Sequence, residues 1–373
     1  MNMAHVYDIA ILGATPAGLA AAHYLASRKR DVVVMDSPKE ASECPLADWV
    51  IAEFFKIPHL PKGLAKSVSS VPFSTVTYHN STFDKQAEHH SRKVLGYLVQ
   101  HEDLRKALSA SAAKAGARIR HSTTSPAIRL DEDAVTLIGS VQLNARMLIV
   151  AHNRPESVIS ELSLPVRNVP QSPLMAAALE LPAGAKAGKA IADGLHVVQS
   201  PQRGEMGLFF KNEDVVHIRI IRTQEAAARH VAELSSMLGA IQKAGLLPPD
   251  VDFRKAKGAV WHPPAGVALE LETHVAKRCL LTGTAGGFAD SITGATLMPT
   301  VTSAILAAEV ADEALSAGDI QDAMMQYKSH WRSTLADHLR PPNTALNMLM
   351  PLLFVNNRIV AKFTEAMLHG QSI

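Results

Sequence analysis

The sequence predicts an α/β protein that combines a parallel sheet, a separate antiparallel sheet and a helical carboxyl-terminal tail. Three observations lead to this fold class. The chain opens with an apolar strand, a glycine turn, a helix and a second apolar strand; alternating apolar patterns occupy its middle; and a long alanine-rich helix follows a second glycine-rich loop. At 373 residues the chain is long enough for two lobes or one large α/β unit.

Composition excludes several classes of protein. The 37 Lys and Arg residues nearly balance the 35 Asp and Glu residues and are scattered, so we expect no nucleic-acid partner. Cys44 and Cys279 lie far apart and make no metal or disulfide framework, which suits a reduced cytoplasm. We find neither a signal peptide nor an apolar run of roughly 18 residues, and therefore expect a cytoplasmic protein without a transmembrane segment.

The chain begins with elements in the order strand, turn, helix, strand. Asp8–Leu12 has the apolar pattern of a buried parallel strand, Leu19–Ser27 that of a helix of small residues, and Asp31–Asp36 that of a second strand. This complete β-turn-α-β unit is the context in which a glycine turn indicates a dinucleotide site.

The turn itself reads ILGATPAG. Gly13 permits a tight turn, Gly18 permits close packing of the helix, and Thr15 occupies the position at which a third glycine would let a pyrophosphate approach the backbone. The Cβ of Thr15 crowds that approach, although its hydroxyl can donate to a phosphate oxygen. Asp36 ends the second strand, where an acid accepts hydrogen bonds from an adenosine ribose. A plain unit whose glycines serve only the turn remains the alternative.

The middle of the chain is less regular. Residues 40–91 contain prolines at four positions and have no clear periodicity, so we expect them to cover or line a site. A helix is predicted over His101–Ala115, ended by Gly116, and another over Gln224–Ala244. Short strands are predicted at Ala127–Leu130, Ala134–Ile138, Val141–Val150, Met206–Lys211 and Val215–Arg222.

A second glycine-rich loop, GTAGGFADSITGAT, follows the apolar strand Cys279–Thr282 and precedes a helix predicted over Leu297–Leu315. This stretch resembles the second FAD signature of the flavoprotein family that includes para-hydroxybenzoate hydroxylase and, more closely, the geranylgeranyl reductases. The resemblance covers most of the chain and is specific near residues 8–36, 97–117 and 279–315. The residues in register with that signature are Gly283, Ala285, Gly287, Phe288, Thr293 and Gly294.

Every FAD signature departs from the family pattern at some positions, and each is still recognisable. Thr284 stands in place of an aspartate, Ser291 in place of a proline, and Ala295-Thr296 in place of Glu-Gly. His101 stands where an arginine or glutamine contacts the cofactor, and Val150-Ala-His-Asn153 replaces a G-A-D-G turn.

The resemblance implies FAD as the cofactor and assigns roles by position. The turn before the first helix, with Ala14 beside Thr15, would hold the pyrophosphate, and Asp36 the adenosine ribose. Backbone N–H groups at the start of the second helix would face the N1/O2 edge of the flavin, where helix dipoles stabilise negative charge. The cofactor-binding residues expected from the resemblance are Gly13, Ala14, Thr15, Gly18, Asp36, His101, Gly283, Thr284, Gly294, Ala295 and Thr296.

The resemblance also divides the chain. It implies a discontinuous Rossmann-like FAD-binding domain, a substrate domain built on an antiparallel sheet, and a helical tail. The expected boundaries are residues 1–70, 95–165 and 275–330 for the FAD-binding domain, 71–94 and 166–274 for the substrate domain, and 331–373 for the tail.

The expected activity is that of an FAD-dependent oxidoreductase, a reductase or a monooxygenase, acting on an apolar or aromatic small molecule. No second strong dinucleotide motif is present, so NAD(P)H would visit transiently or a redox partner would supply electrons. A halogenase is less favoured, because the sequence contains no W-x-W-x-I-P signature. The alternative is a non-catalytic or weakly flavin-binding relative that keeps the fold as a small-molecule binding protein.

No catalytic residue is assigned, and two candidates stay open. Cys44 lies where geranylgeranyl reductases carry a cysteine near the flavin, but a lone cysteine more often only packs. His262, in the sequence Trp261-His-Pro-Pro, would border the isoalloxazine, or the stretch is a strand end with an aromatic anchor. No metal site is predicted. The apolar patch Leu346–Val355 either lines a lipid-sized tunnel, makes peripheral contact with a membrane, or packs on the core.

Overall fold

The structure of the protein is a computed structural model. It describes residues 5–36, 46–122, 126–139, 142–152, 162, 174–182, 191, 193–200, 205–212, 215–223, 230–247, 256–317, 319–341 and 346–370.

Eighteen strands occur among these residues, and their bounds are as follows. They are β1 (Val6–Leu12), β2 (Val32–Asp36), β3 (Ala47–Ile51), β4 (Ser70–Phe73), β5 (Thr75–His79), β6 (Gln86–His90), β7 (Gly96–Gln100), β8 (Arg118–His121), β9 (Ala127–Leu130), β10 (Val135–Ile138), β11 (Leu143–Val150), β12 (Leu174–Pro182), β13 (Leu195–Gln199), β14 (Glu205–Asn212), β15 (Val215–Thr223), β16 (Lys257–Trp261), β17 (Val275–Ala276) and β18 (Cys279–Leu281).

The helices of the same residues are numbered in chain order. They are α1 (Pro16–Ser27), α2 (Leu64–Ser67), α3 (His101–Ala115), α4 (His230–Lys243), α5 (Val267–Glu270), α6 (Leu297–Ser316), α7 (Ile320–Met324), α8 (Tyr327–Leu339), α9 (Leu346–Leu353) and α10 (Asn357–His369).

The first sheet is the predicted parallel sheet. Its strands β18, β11, β1, β2 and β8 are neighbours in that order and run parallel. The central strands are buried on both faces, which explains their unbroken apolar sequences. Strands β9 and β10 join β11 in the predicted antiparallel meander. The β-turn-α-β opening and the helices at His101 and Leu297 are therefore confirmed.

The second sheet is antiparallel apart from one pair and has the order β16-β12-β15-β14-β13-β5-β6. The hairpin of β14 and β15 confirms the strands predicted on either side of residue 212. Helix α4 packs on one face of this sheet, and the tail helices α9 and α10 pack against the other. The predicted helix over residues 224–244 is described from His230 onwards.

Residues 40–91, whose sequence shows no clear periodicity, contain four strands in the part that the structure describes. Strands β3, β4, β5 and β6 lie there, and β3 and β4 flank β7 in a small third sheet. These strands are only four or five residues long, and β3, β4 and β5 pair with segments further along the chain, so local periodicity could not reveal them.

The two large sheets draw their strands from different parts of the chain. Residues 71–94 supply β5 and β6 to the antiparallel sheet, whereas β1, β2, β11 and β18 build the parallel one. The domain boundaries themselves stay a prediction. Among the residues described, no helix combines the length and apolar character needed to cross a bilayer.

Candidate cofactor site

The candidate site lies at the carboxyl edge of the parallel sheet, where the chain order reverses. Strand β1 has β2 on one side and β11, a later and distant strand, on the other. In open parallel sheets, such a switch point leaves a crevice above the strand ends in which ligands bind. The turns after β1, β11 and β18 all meet there.

The turn after β1 is built by close backbone approach. Gly13 has φ of +110°, and its N–H donates to the carbonyl of Met35 over 2.8 Å. A Cβ on Gly13 would lie 2.8 Å from the backbone nitrogen of His152, and one on Gly18 would lie 2.1 Å from the carbonyl oxygen of Gly13. Both glycines are therefore required by the packing of β1, α1 and the β11 turn.

Thr15 is the N-cap residue of α1. Its buried Oγ1 accepts a hydrogen bond from the N–H of Gly18 at 3.2 Å and donates to the carbonyl oxygen of Ala151 at 2.8 Å. The hydroxyl proton is thus directed into the protein, toward the β11 turn, and not toward the crevice.

Thr284 makes the same kind of contact from the other side. Its buried Oγ1 donates to the carbonyl oxygen of His152 at 3.1 Å. The two threonines that replace family residues therefore bond to consecutive carbonyl groups of one turn, at residues 151 and 152. They tie the turns after β1 and β18 to the turn after β11. Asn153, the last residue of that turn, lies outside the described residues.

The loop after β18 is supported from below by polar side chains. Ser303 on α6 accepts the N–H of Gly283 at 3.2 Å, and its Oγ lies 2.8 Å from the hydroxyl of Thr282. The Nε2 of His274 lies 2.8 Å from the carbonyl oxygen of Gly286, so this nitrogen carries the proton. Burial lowers the pKa of His274 to about 4, which keeps the ring neutral at physiological pH.

Asp290 shapes the last turn before α6. Its Oδ1 accepts from the N–H of Ile292 at 3.0 Å and from the N–H and hydroxyl of Thr293 at 2.6 and 2.8 Å. Burial raises the pKa of Asp290, and these donors oppose that shift. Gly294 follows with φ of +65°, and a Cβ there would lie 2.6 Å from Cγ of Pro263.

The start of α6 has a hydroxyl donor, that of Thr296, without a partner. The first turn of a helix leaves its N–H groups without intrahelical partners, and no side chain caps this helix. Thr296 occupies the N-cap position, is 2% exposed, and its Oγ1 has no hydrogen-bond partner. Because buried polar groups are nearly always paired, this orphaned hydroxyl beside a helix dipole fits the electron-rich pyrimidine edge of a flavin.

The ribose end of the crevice contains a charge that the sequence did not reveal. Asp36 ends β2 as expected, and its Oδ2 lies 3.1 Å from Nδ1 of His121 and 3.9 Å from Nη1 of Arg105. Arg105 stands one turn after His101, which is buried at the first position of α3. That spacing along a predicted helix was the available signal.

Of the two candidate catalytic residues, neither is brought to the crevice by a described contact. Cys44 lies outside the described residues. His262 is exposed and directly follows Trp261, which ends β16 and is buried, so the interpretation as a strand end with an aromatic anchor is supported. Both remain predictions as catalytic groups.

Sequence reasoning missed a buried charged cluster on the antiparallel sheet. The guanidinium of Arg219 lies 5.3 and 5.0 Å from the ring centres of Trp49 and Trp261. It donates to Oδ1 of Asp48 at 3.1 Å, while its Nε lies 3.2 Å from Nε2 of His217. Burial lowers the pKa of His217 to about 4. The signal was the alternating strand VVHIRIIR, which places both polar residues on one face.

Comparison with known proteins supports the resemblance. No known protein-family model matches the chain. A digeranylgeranylglycerophospholipid reductase of Methanosarcina acetivorans is 25% identical over 345 residues, which cover 89% of this chain and 82% of that enzyme.

Solved structures share the fold. A geranylgeranyl bacteriochlorophyll reductase-like protein of Thermoplasma acidophilum has a TM-score of 0.74 at 15% identity, covering 100% of this chain and 93% of that one. PqsL of Pseudomonas aeruginosa, described as a probable FAD-dependent monooxygenase, has a TM-score of 0.71 at 16% identity, covering 97% and 100%. The predicted fold class and the resemblance inferred from the sequence are confirmed.

Proposed function

From the premise that the chain has the fold of geranylgeranyl reductase-like flavoproteins and is a distant sequence relative of digeranylgeranylglycerophospholipid reductases, we propose that it is an FAD-dependent oxidoreductase. Its substrate would be an apolar or aromatic small molecule, reduced or monooxygenated. The relatives carry both kinds of name, reductase and FAD-dependent monooxygenase.

One observation carries the proposal: the start of α6 presents a buried hydroxyl without a partner at the carboxyl edge of the parallel sheet. Leaving a buried donor unpaired costs about 1–3 kcal/mol, so a ligand that accepts from Thr296 would offset a real penalty. The dipole of a 20-residue helix adds positive potential at the same point. An acceptor-rich, partly anionic group such as the N1/O2 edge of a flavin suits this place.

The other residues would hold the rest of the cofactor. When bound, FAD supplies transfer of a hydride or electrons through its isoalloxazine ring. The turn of Gly13, Ala14, Thr15 and Gly18 would lie along the pyrophosphate with the N-terminal end of α1, and Asp36 would accept from the adenosine ribose. The ribityl chain and the flavin would lie along Gly283, Thr284, Gly294 and Ala295. His101, at the first position of α3, would also contact the cofactor.

The antiparallel sheet would supply the substrate wall. The face that packs toward the tail helices carries large apolar and aromatic side chains, among them Phe210 and Trp261, and Trp49 of the small third sheet packs in the same cluster. The cation of Arg219 between two indole rings is neutralised by Asp48, so it holds the wall together without exposing charge. Such a wall favours an apolar or aromatic substrate over a charged one.

A second candidate function is favoured by a different observation. The hydroxyls of Thr15 and Thr284 are both satisfied within the protein, on the carbonyls of Ala151 and His152. A pyrophosphate site whose donors already have partners gains less from a ligand. The rival is thus a non-catalytic or weakly flavin-binding protein that keeps the fold for binding a small molecule.

The absorbance spectrum of the purified protein separates the two. We expect a yellow protein with flavin bands, or a colourless one that takes up added FAD stoichiometrically. A colourless protein that takes up no FAD would reject the enzyme and favour the rival.

Several finer statements extend the proposal. Electrons would come from transient NAD(P)H or a redox partner, and the protein would work in the reduced cytoplasm, where the fully buried thiol of Cys279 stays reduced. Leu352 and Val355, 43% and 77% exposed at the end of α9, would make peripheral contact with a membrane. The FAD-binding, substrate and tail divisions of the chain are part of the same proposal.

A further inference from the structure

Helix α8, where the predicted tail begins, packs one face against the core beneath the loop after β18. The side chains of Tyr327, Trp331, Leu335 and Leu339 recur every four residues and are buried, so they lie on one side of the helix. They belong to the same core cluster as Phe288 of the loop and the buried face of α6. The two aromatic residues of this face each reach one end of the loop segment 283–286.

Tyr327 supports the first end of that segment through Ser303. Its phenol donates to the carbonyl oxygen of Ser303 at 3.2 Å, and burial raises the pKa of Tyr327, so the phenol remains a donor at physiological pH. The hydroxyl of the same serine accepts from the N–H of Gly283 at 3.2 Å and donates to the carbonyl oxygen of Thr300 at 2.9 Å. Tyr327 therefore fixes the residue on which the first peptide of the loop rests.

Trp331 supports the other end through His274 and Phe288. Its ring centre lies 5.0 Å from that of His274 and 5.3 Å from that of Phe288, and both contacts are edge to face, an arrangement that aromatic pairs prefer. The rings of His274 and Phe288 are themselves 5.2 Å apart. These contacts hold the imidazole in the orientation in which its Nε2–H donates to the carbonyl oxygen of Gly286 at 2.8 Å.

The loop has little room to move independently of these supports. Residues 283–286 carry Thr284, whose hydroxyl ties the loop to the turn after β11. A Cβ on Gly286 would lie 2.6 Å from the ring of Phe288, so this peptide and this ring are in close contact. Because packed interiors contain few voids, a shift of the aromatic residues of α8 must also shift the loop.

We propose that Tyr327 and Trp331 of α8 are positioning residues, which hold the loop after β18 in the shape in which it faces the crevice and thereby set the affinity of the cofactor there. The second part of the inference rests on the proposed flavin site. Coupling between two sites is reciprocal, so a cofactor bound against the loop also stabilises α8. The first helix of the predicted tail is then part of the cofactor site.

Two conservative variants weaken one support each. Trp331→Phe keeps a ring and loses part of the contact with His274 and Phe288, so FAD should bind up to roughly tenfold more weakly, the factor that one aromatic pair contributes. Tyr327→Phe removes only the hydroxyl, and the FAD Kd should rise roughly two- to tenfold. The second variant decides the question if Trp331→Phe does not fold.

Tyr78→Phe is the matched control. It also removes a buried tyrosine hydroxyl that makes a hydrogen bond, to Thr364 at 2.7 Å, but this bond joins the antiparallel sheet to α10. Urea unfolding should show that Tyr78→Phe destabilises the protein as Tyr327→Phe does, while FAD titration of the folded protein should give the Kd of the wild type. A merely structural role of Tyr327 predicts the same FAD Kd in both tyrosine variants, and that result would overturn the proposal.

Amide hydrogen exchange of the cofactor-free protein tests the positioning of the loop without FAD. The N–H groups of Gly287 and Phe288, which bond within the loop, should exchange roughly tenfold faster in both α8 variants than in the wild type or Tyr78→Phe, with the amides of β1 as the reference for global unfolding. Faster loop exchange in a protein that takes up no FAD would support the positioning role and reject the flavin site. Unchanged loop exchange in both α8 variants would refute the positioning role.

Discussion

The two glycine-rich turns of the parallel sheet begin their helices in opposite ways. At α1, the hydroxyl of Thr15 accepts from the N–H of Gly18 and donates to the carbonyl of Ala151, so this hydroxyl is satisfied without a ligand. At α6, Thr296 stands at the equivalent position, caps nothing, and leaves its buried hydroxyl unpaired. The protein satisfies one of these two N-cap hydroxyls and leaves the other without a partner.

This difference shows which part of the crevice depends on a ligand. The bond from Thr15 to Ala151 indicates that the turn at the pyrophosphate end is tied by the chain itself to the turn after β11. The unpaired hydroxyl of Thr296 at the start of α6 indicates that the flavin end of the crevice needs a ligand that accepts a hydrogen bond. Thr15, Thr284 and Thr296 all replace family residues, yet only the last leaves a donor free.

The largest effect should come from breaking the first turn. In Gly18→Ala, the new Cβ would lie 2.1 Å from the carbonyl oxygen of Gly13, so α1 must move away from β1. We expect a loss of at least about 3 kcal/mol in the free energy of unfolding and no dinucleotide binding. Urea unfolding and FAD titration measure both.

Gly239→Ala is the matched control, because a Cβ at this position of α4 meets nothing within 4 Å. It should stabilise the protein by up to about 1 kcal/mol through helix propensity. Similar unfolding curves for the two alanine variants would show that the close approach of α1 to β1 is not real.

The next effect concerns the bond that ties the second loop to the β11 turn. Thr284→Asp removes the donor to the carbonyl of His152 and places a carboxylate beside it, which destabilises the protein without cofactor. A ribityl hydroxyl can then donate to the carboxylate, so FAD should bind roughly ten- to hundredfold tighter.

Dissociation constants for both proteins, at equal ionic strength, test this expectation. Thr284→Val, which loses the hydroxyl without adding charge, separates the two contributions. Weaker FAD binding in the aspartate variant would mean that the crevice is built around threonine, and would favour the non-flavin rival.

Acid should lower the free energy of unfolding through His274, which supports the loop after β18 and not the turn after β1. His274 is neutral in the fold, with its pKa lowered from 6.5 to about 4 by burial, and its Nε2–H donates to the loop. As the pH falls from 6.5 to about 4, the unfolded chain takes up a proton that the folded chain refuses, so stability is lost across this window at up to about 1.4 kcal/mol per pH unit.

His274→Gln keeps a donor for Gly286 and does not titrate, so its unfolding free energy should fall less steeply than that of the wild type between pH 6.5 and about 4. His121→Gln is the control near the first turn, since this ring is exposed beside Asp36. An identical pH slope in wild type and His274→Gln would exclude His274 as the acid-sensitive support.

The smallest effect compares the two helix starts directly. Thr15→Val removes two hydrogen bonds and should cost about 1–2 kcal/mol in the cofactor-free protein. Thr296→Val removes an unpaired buried hydroxyl and should leave stability unchanged or raise it by up to about 1 kcal/mol.

Urea unfolding of both variants, with and without excess FAD, completes the comparison. Thr296→Val should reduce the extra stability that FAD confers, because the hydroxyl then has no role toward the ligand. Equal losses from the two valine variants without cofactor would contradict the difference between the helix starts.

The sequence by itself determined the elements with strong local signals. Each of these signals lies within about twenty residues of sequence. They are the apolar runs of β1, β2 and β18, the glycines at positions 13 and 18, and the small-residue helices α1 and α6. Those elements define the parallel sheet and the two glycine turns, and the same residues carry the resemblance to flavoproteins.

Only the tertiary structure decided how the departures from the family pattern are accommodated. Thr15 reaches Ala151, 136 residues away, and Thr284 reaches His152, 132 residues away. The strands β3, β4 and β5, the approach of Arg105 to Asp36 and the cluster at Arg219 likewise depend on distant pairings. Whether a buried hydroxyl has a partner is set by packing between remote segments, and local periodicity carries no record of that packing.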